Sequence, residues 1–66
     1  MYGKRIRQAR KEKGLTQKQL AEKVSVHQNA IGEYERGEVI PSFAVMVKIS
    51  EVLDISLDWF AGGYDD

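Results

Sequence analysis

Residues 15–37 read LTQKQLAEKVSVHQNAIGEYERG, and two amphipathic helices with a short break between them account for the whole stretch. Thr16 is a good N-cap, and Gln19 three residues later completes a capping-box pattern. The helix it opens runs to about Val24, burying Leu20, Ala21 and Val24 while Lys18, Glu22 and Lys23 stay outside. Ser25 and Val26 leave room only for a tight turn before the next helix, over 28–36, which Gly37 stops. The two sides of that helix differ in chemistry. Ile31, Tyr34 and Glu35 share one, and Gln28, Asn29, Gly32, Glu33 and Arg36 share the other.

The flanks of this stretch are helical too. Upstream, 3–13 reads as a helix with Ile6, Ala9 and Arg10 on one face and Gly14 as its stop. Downstream, a loop over 38–41 holds the single proline, Pro41, and Ser42 caps a fourth helix running to about Leu53. Its apolar residues Phe43, Val45, Met46, Val47, Ile49, Val52 and Leu53 span an arc of about 220°, wider than a surface helix needs. That helix is either the central core element or has a second apolar neighbour. Ser56 opens a fifth, short helix with Leu57, Trp59 and Phe60, which Gly62 and Gly63 end. Nothing alternates in the period of two that strands require. The fold class is all-α, a five-helix domain over 1–62 with a disordered acidic tail at 63–66.

Composition narrows the chemistry. A chain of 66 residues holds one domain, whose core supplies about 3–5 kcal/mol. Without cysteine there is neither a disulfide nor a Cys-based zinc site, and the lone His27 argues against any other metal or cofactor. One histidine and no Ser/His/Asp arrangement leave no catalytic set, so the chain does not read as an enzyme. No apolar run approaches the ~18 residues that cross a bilayer, and no membrane partner is expected. The formal net charge of zero conceals a polarity. Residues 1–37 carry nine basic and four acidic side chains, and residues 38–66 carry one basic and six acidic. The positive half suits a polyanion, and it equally suits a solvated helix face.

The outward side of the 28–36 helix is the more specific signal. Gln28 and Asn29 carry amides that donate and accept at once, matching the N6 and N7 pair of adenine's major-groove edge, and Glu33 can accept from cytosine N4. Short side chains in the first turn of a helix reach bases when that helix enters a groove. An indifferent polar surface has the same composition, and the residues alone leave both readings open.

Three stretches carry a resemblance: GKRIRQARKEKGLTQKQLAEKV at 3–24, IGEYERGEVIPS at 31–42 and ISEVLDISLDWF at 49–60. In them Arg10, Leu15-Thr16-Gln17, Leu20-Ala21 and Ile31-Gly32-Glu33-Tyr34-Glu35-Arg36-Gly37 follow one another in order. Over 3–62 the sequence resembles the phage repressor/Cro-type helix-turn-helix family, also called XRE-type regulators. The resemblance implies a lambda-repressor-like bundle in which helices 2 and 3 form the helix-turn-helix. It also implies a sequence-specific, double-stranded-DNA-binding transcription regulator, most often a repressor, working in the cytoplasm at the nucleoid. Helix 3 would present Gln28, Asn29, Gly32 and Glu33 to bases. Thr16 and Gln17 would hold one phosphate, and Arg36 with the backbone of the loop from Val39 to Phe43, Ser42 included, would hold the phosphates on the other flank. Arg10 and Glu35 would form a buried ion pair tying helix 1 to helix 3. Relatives pair as homodimers on palindromic sites with half-sites about 34 Å apart. Leu57, Trp59 and Phe60 with the wide arc of helix 4 offer a two-fold interface, although Trp59 and Phe60 also suit ordinary core closure. An antitoxin that binds both DNA and a toxin, and a protein-interaction module that has lost DNA contact, are the alternatives.

Five positions depart from the family pattern. Ser25 stands where a glycine is usual, and a left-handed serine costs about 1–2 kcal/mol. His27 replaces a Ser or Thr N-cap, and imidazole is expected to cap poorly, leaving a phosphate contact or a merely tolerated surface residue. Gly32 costs about 1 kcal/mol relative to alanine inside a helix, and offers close approach to DNA or room for a thymine methyl. Glu38 would repel a phosphate. Ala9 replaces a leucine, leaving space for Tyr34 or Phe43 to fill.

Overall fold

Four of these periodic segments are helices in a computed structural model that describes residues 2–58. They are α1 (Tyr2–Glu12), α2 (Gln17–Val24), α3 (Gln28–Glu35) and α4 (Phe43–Leu53), and no strand occurs among the described residues. The described residues thus hold four of the five expected helices. Leu57 and Asp58 begin a helical turn after α4, and the rest of the expected fifth helix, with Trp59, Phe60 and the tail at 63–66, lies outside the described residues.

Each boundary has a local cause. Gly14 ends the α1 turn at φ +71, and its N–H donates to the Lys11 carbonyl at 3.0 Å. Thr16 caps α2 with both halves of the capping box formed: its Oγ1 accepts from the Gln19 N–H at 3.0 Å, and Gln19 Oε1 accepts from the Thr16 N–H at 2.9 Å. The turn into α3 does place Ser25 in the left-handed region, at φ 61, and the Val26 N–H after it returns to the Ala21 carbonyl. Asp54 takes the same conformation after α4, at φ 57, a place where a short polar side chain is better tolerated than most.

The core is a single cluster of Ile6, Ala9, Leu20, Ala21, Val24, Ile31, Tyr34, Ile49 and Leu53. All four helices contribute, with α2 packed on α3 and α4, and α1 packed on α3 and α4. Gly3 permits the approach of α1 to the end of α3, because a Cβ there would lie 2.6 Å from the carbonyl oxygens of both Tyr34 and Glu35. The broad arc of α4 is only partly core. Ile49 and Leu53 are buried, whereas Val45, Met46 and Val52 are partly buried against the cluster. Phe43 is 73% exposed, so it does not fill the space beside Ala9; it sits in the first turn of α4, which projects past the core with Ala44. Tyr34, at 7% exposure, is the aromatic buried in the cluster with Ala9.

Candidate nucleic-acid interface

The start of α3 presents Gln28 and Asn29 exposed to solvent, as their spacing predicts. Together with Gln17, Gly32, Glu33 and Arg36 they line one polar depression of about 230 Å³. This brings the first residue of α2 beside the outer side of α3. Thr16 and Ser42 are exposed N-caps of α2 and α4. Each hydroxyl oxygen accepts from its own helix, Thr16 from Gln19 and Ser42 from the Val45 N–H at 3.3 Å, so each hydroxyl proton can still be donated outward.

His27 caps α3 after all. Its Nδ1 accepts from the Asn29 N–H at 3.1 Å, with the backbone at φ −69 and ψ 146 as an N-cap requires. The ring's other nitrogen, Nε2, takes no part in the cap. Removing this cap has a defined cost. His27→Ala is expected to destabilise the domain by about 0.5–2 kcal/mol, and His27→Ser to restore wild-type stability. Thermal melts followed by far-UV circular dichroism check both, and a His27→Ala melt unchanged from wild type would deny the cap its role.

Behind the exposed face lies the ion pair expected from Arg10 and Glu35. Arg10 Nε donates to Glu35 Oε2 at 2.6 Å and Nη2 to Oε1 at 3.1 Å, with only 10% and 4% of the two side chains exposed. The remaining nitrogen, Nη1, donates to the Leu15 carbonyl at 2.8 Å, so the guanidinium also braces the turn before α2. Gln17 joins this network, its Nε2 donating to Glu35 Oε1 at 3.1 Å. One amide hydrogen of Gln17 is thereby committed inward, and the second remains for an outside acceptor.

Two features escape a reading of the residues alone. Gly32 is buried rather than displayed: a Cβ at this position would come within 2.9 Å of Arg36 Nη1 and 3.6 Å of Gln17 Oε1. Arg36 and Glu38 form a two-point pair on the surface, Nε to Oε2 at 2.8 Å and Nη2 to Oε1 at 3.1 Å. The hydrogen bonds from Arg36 hold the Glu38 carboxyl below the ordinary carboxylate range, and those to Glu38 raise the guanidinium further. The pair is therefore charged at neutral pH and is lost only as pH falls through the lowered Glu38 range. The signal for it was Gly37, whose left-handed turn at φ +77 folds Glu38 back toward α3. Of the residues assigned to a two-fold interface, Leu57 is partly buried against the core, and Trp59 and Phe60 lie outside the described residues. Among the described residues the large exposed apolar side chains are Val39, Ile40 and Phe43, around the loop before α4.

A family model described as helix-turn-helix matches residues 6–60. The chain is 47% identical over 55 residues to multiprotein-bridging factor 1 of Candida albicans, a match covering 83% of this chain and 36% of that protein. It is 35% identical over 63 residues to the HTH-type transcriptional regulator YqaE of Bacillus subtilis, covering 96% of this chain and 54% of that protein. The chain thus spans about a third to a half of the length of these curated relatives. Among solved structures, the P22 c2 repressor in complex with a synthetic operator is similar with a TM-score of 0.88 and 33% identity, over 91% of each chain. SinR of Bacillus subtilis in complex with DNA is similar with a TM-score of 0.86 and 40% identity, over 92% of this chain and 98% of that one.

Proposed function

The chain belongs to the helix-turn-helix family of XRE-type transcription regulators, and from that membership we propose that it binds double-stranded DNA sequence-specifically, with α3 in the major groove. The family is one of regulators and not of enzymes. The observation that carries the reading is the pair of exposed amides, Gln28 and Asn29, in the first turn of α3 and on the wall of one depression with Gln17. Amides there are placed to read adenine edges, and Glu33 one turn on can accept from cytosine. The N–H groups opening α2, with the Thr16 hydroxyl and the second Gln17 amide hydrogen, would take one phosphate, and Ser42 at the start of α4 another.

The chain acts as a repressor on a palindromic operator in this reading, two copies occupying half-sites about one helical turn apart. Its place of work is then the cytoplasm, at the nucleoid; no helix among the described residues is long and apolar enough to cross a membrane.

Selection of duplexes from a random pool tests the proposal directly. The expected result is an enriched palindrome whose affinity falls steeply with salt, by about 10³–10⁵-fold between 50 and 200 mM if six to ten phosphates are neutralised. Recovery of no enriched duplex at moderate salt would overturn it, in favour of a module that binds protein alone.

A further inference from the structure

We propose that Arg36, buttressed by Glu38, is a guanine-reading side chain rather than a phosphate ligand, and that Gly32 provides the space in which it lies. The inference rests on the reading of α3 as a recognition helix and specifies one base of its target.

Direction is the first argument. Side chains on a helix lean toward its N-terminus, so a residue at the C-cap lies over the turn before it. Arg36 is the C-cap of α3, and its Nη1 comes within 2.9 Å of where a Gly32 Cβ would stand. The guanidinium therefore rests back along α3, inside the depression lined by Gln28, Asn29 and Glu33.

Occupancy of the guanidinium is the second. Glu38 takes the Nε hydrogen and one Nη2 hydrogen. That leaves two hydrogens on Nη1 and one on Nη2, a second fork at the far edge of the same plane. Such a fork matches the O6 and N7 acceptors of guanine. The buttress is itself held in place. The Glu38 N–H donates to the Glu33 carbonyl at 2.9 Å, Gly37 supplies the left-handed turn, and the Tyr2 hydroxyl donates to the Val39 carbonyl at 3.0 Å. The backbone is thus fixed on both sides of Glu38, which sets its carboxylate beside Arg36 before any DNA arrives.

Charge decides between base and backbone. A carboxylate in contact with Arg36 neutralises it and repels a neighbouring phosphate, so the pair is poorly suited to the DNA backbone. Guanine's edge is a neutral dipole and carries no such penalty. The carboxylate that looked like a handicap becomes a positioning residue.

The test compares wild type, Arg36→Ala and Glu38→Ala on the duplex that wild type selects, with all four base pairs substituted at each position. Both side chains are more than half exposed, and circular dichroism melts confirm that the variants fold. Arg36→Ala is expected to erase preference at one G·C position, where wild type discriminates by about 5- to 150-fold, and to leave the other positions unchanged. Glu38→Ala should weaken preference at that same position while strengthening binding to unrelated duplexes. Equal weakening of all sequences by Arg36→Ala would make it a phosphate ligand and overturn the proposal alone. So would a Glu38→Ala variant that binds every duplex more tightly with its preferences intact. Failure of wild type to select any duplex would remove the regulator reading and this inference together.

Discussion

Glu35→Ala is expected to leave the domain largely unfolded at room temperature. The carboxylate it removes accepts from Arg10 at two points and from Gln17, in a site where only 4% of the Glu35 side chain meets solvent. Without it the Arg10 guanidinium stays buried against the Leu15 carbonyl with no counter-charge. Stranding one member of a buried pair costs about 3–5 kcal/mol, which is the whole of what a core of this size supplies. The charge itself is not what the fold requires. Replacing both partners by apolar side chains, Arg10→Met with Glu35→Leu, is expected to regain most of the loss, because the desolvation cost disappears with the charges. Urea melts of Arg10→Met, Glu35→Leu and the double variant measure this as a coupling energy. A Glu35→Ala melt within a degree or two of wild type would show that Arg10 finds other partners and that the pair does not hold α1 to α3.

How far such a site can be read in advance depends on the range of the interaction. Local rules located the helices: the Thr16–Gln19 capping box, the stops at Gly14 and Gly37 and the spacing of Leu20, Ala21 and Val24 each involve residues within one turn of one another. Arg10 and Glu35 lie 25 positions apart, and only the family resemblance joined them. Hydropathy placed Phe43 among the core candidates, but its exposure follows from where α4 begins relative to the core, a tertiary fact. Gly3 shows the same limit, since only the approach of α1 to the Tyr34 and Glu35 carbonyls explains why a side chain is excluded there. His27 misled for a different reason. Cap preferences average over rotamers, and here one rotamer brings Nδ1 to the Asn29 N–H. The Arg36–Glu38 contact spans two residues, yet it forms only because Gly37 turns left-handed between them.

The amides at the head of α3 are where loss of function should separate most cleanly from loss of structure. Truncating both, Gln28→Ala with Asn29→Ala, removes side chains that are exposed and keeps the Asn29 N–H that His27 caps. Exposed substitutions away from a cap's own bonding groups change stability by about 0.5 kcal/mol or less, and alanine favours the helix. The melt should therefore match wild type. Each amide–adenine pair contributes about 1–3 kcal/mol of discrimination, and adjacent positions need not add perfectly. Together the two truncations should lower affinity for the selected duplex by roughly 2–6 kcal/mol, down toward the level of unrelated DNA. The phosphate contacts proposed for α2 and α4 are untouched by these substitutions, so the slope of affinity against salt should stay as in wild type. Competition binding on selected and scrambled duplexes at several salt concentrations separates the two contributions. A variant that still prefers the selected duplex by the wild-type ratio would mean that α3 does not face the bases, whatever else the chain does with DNA.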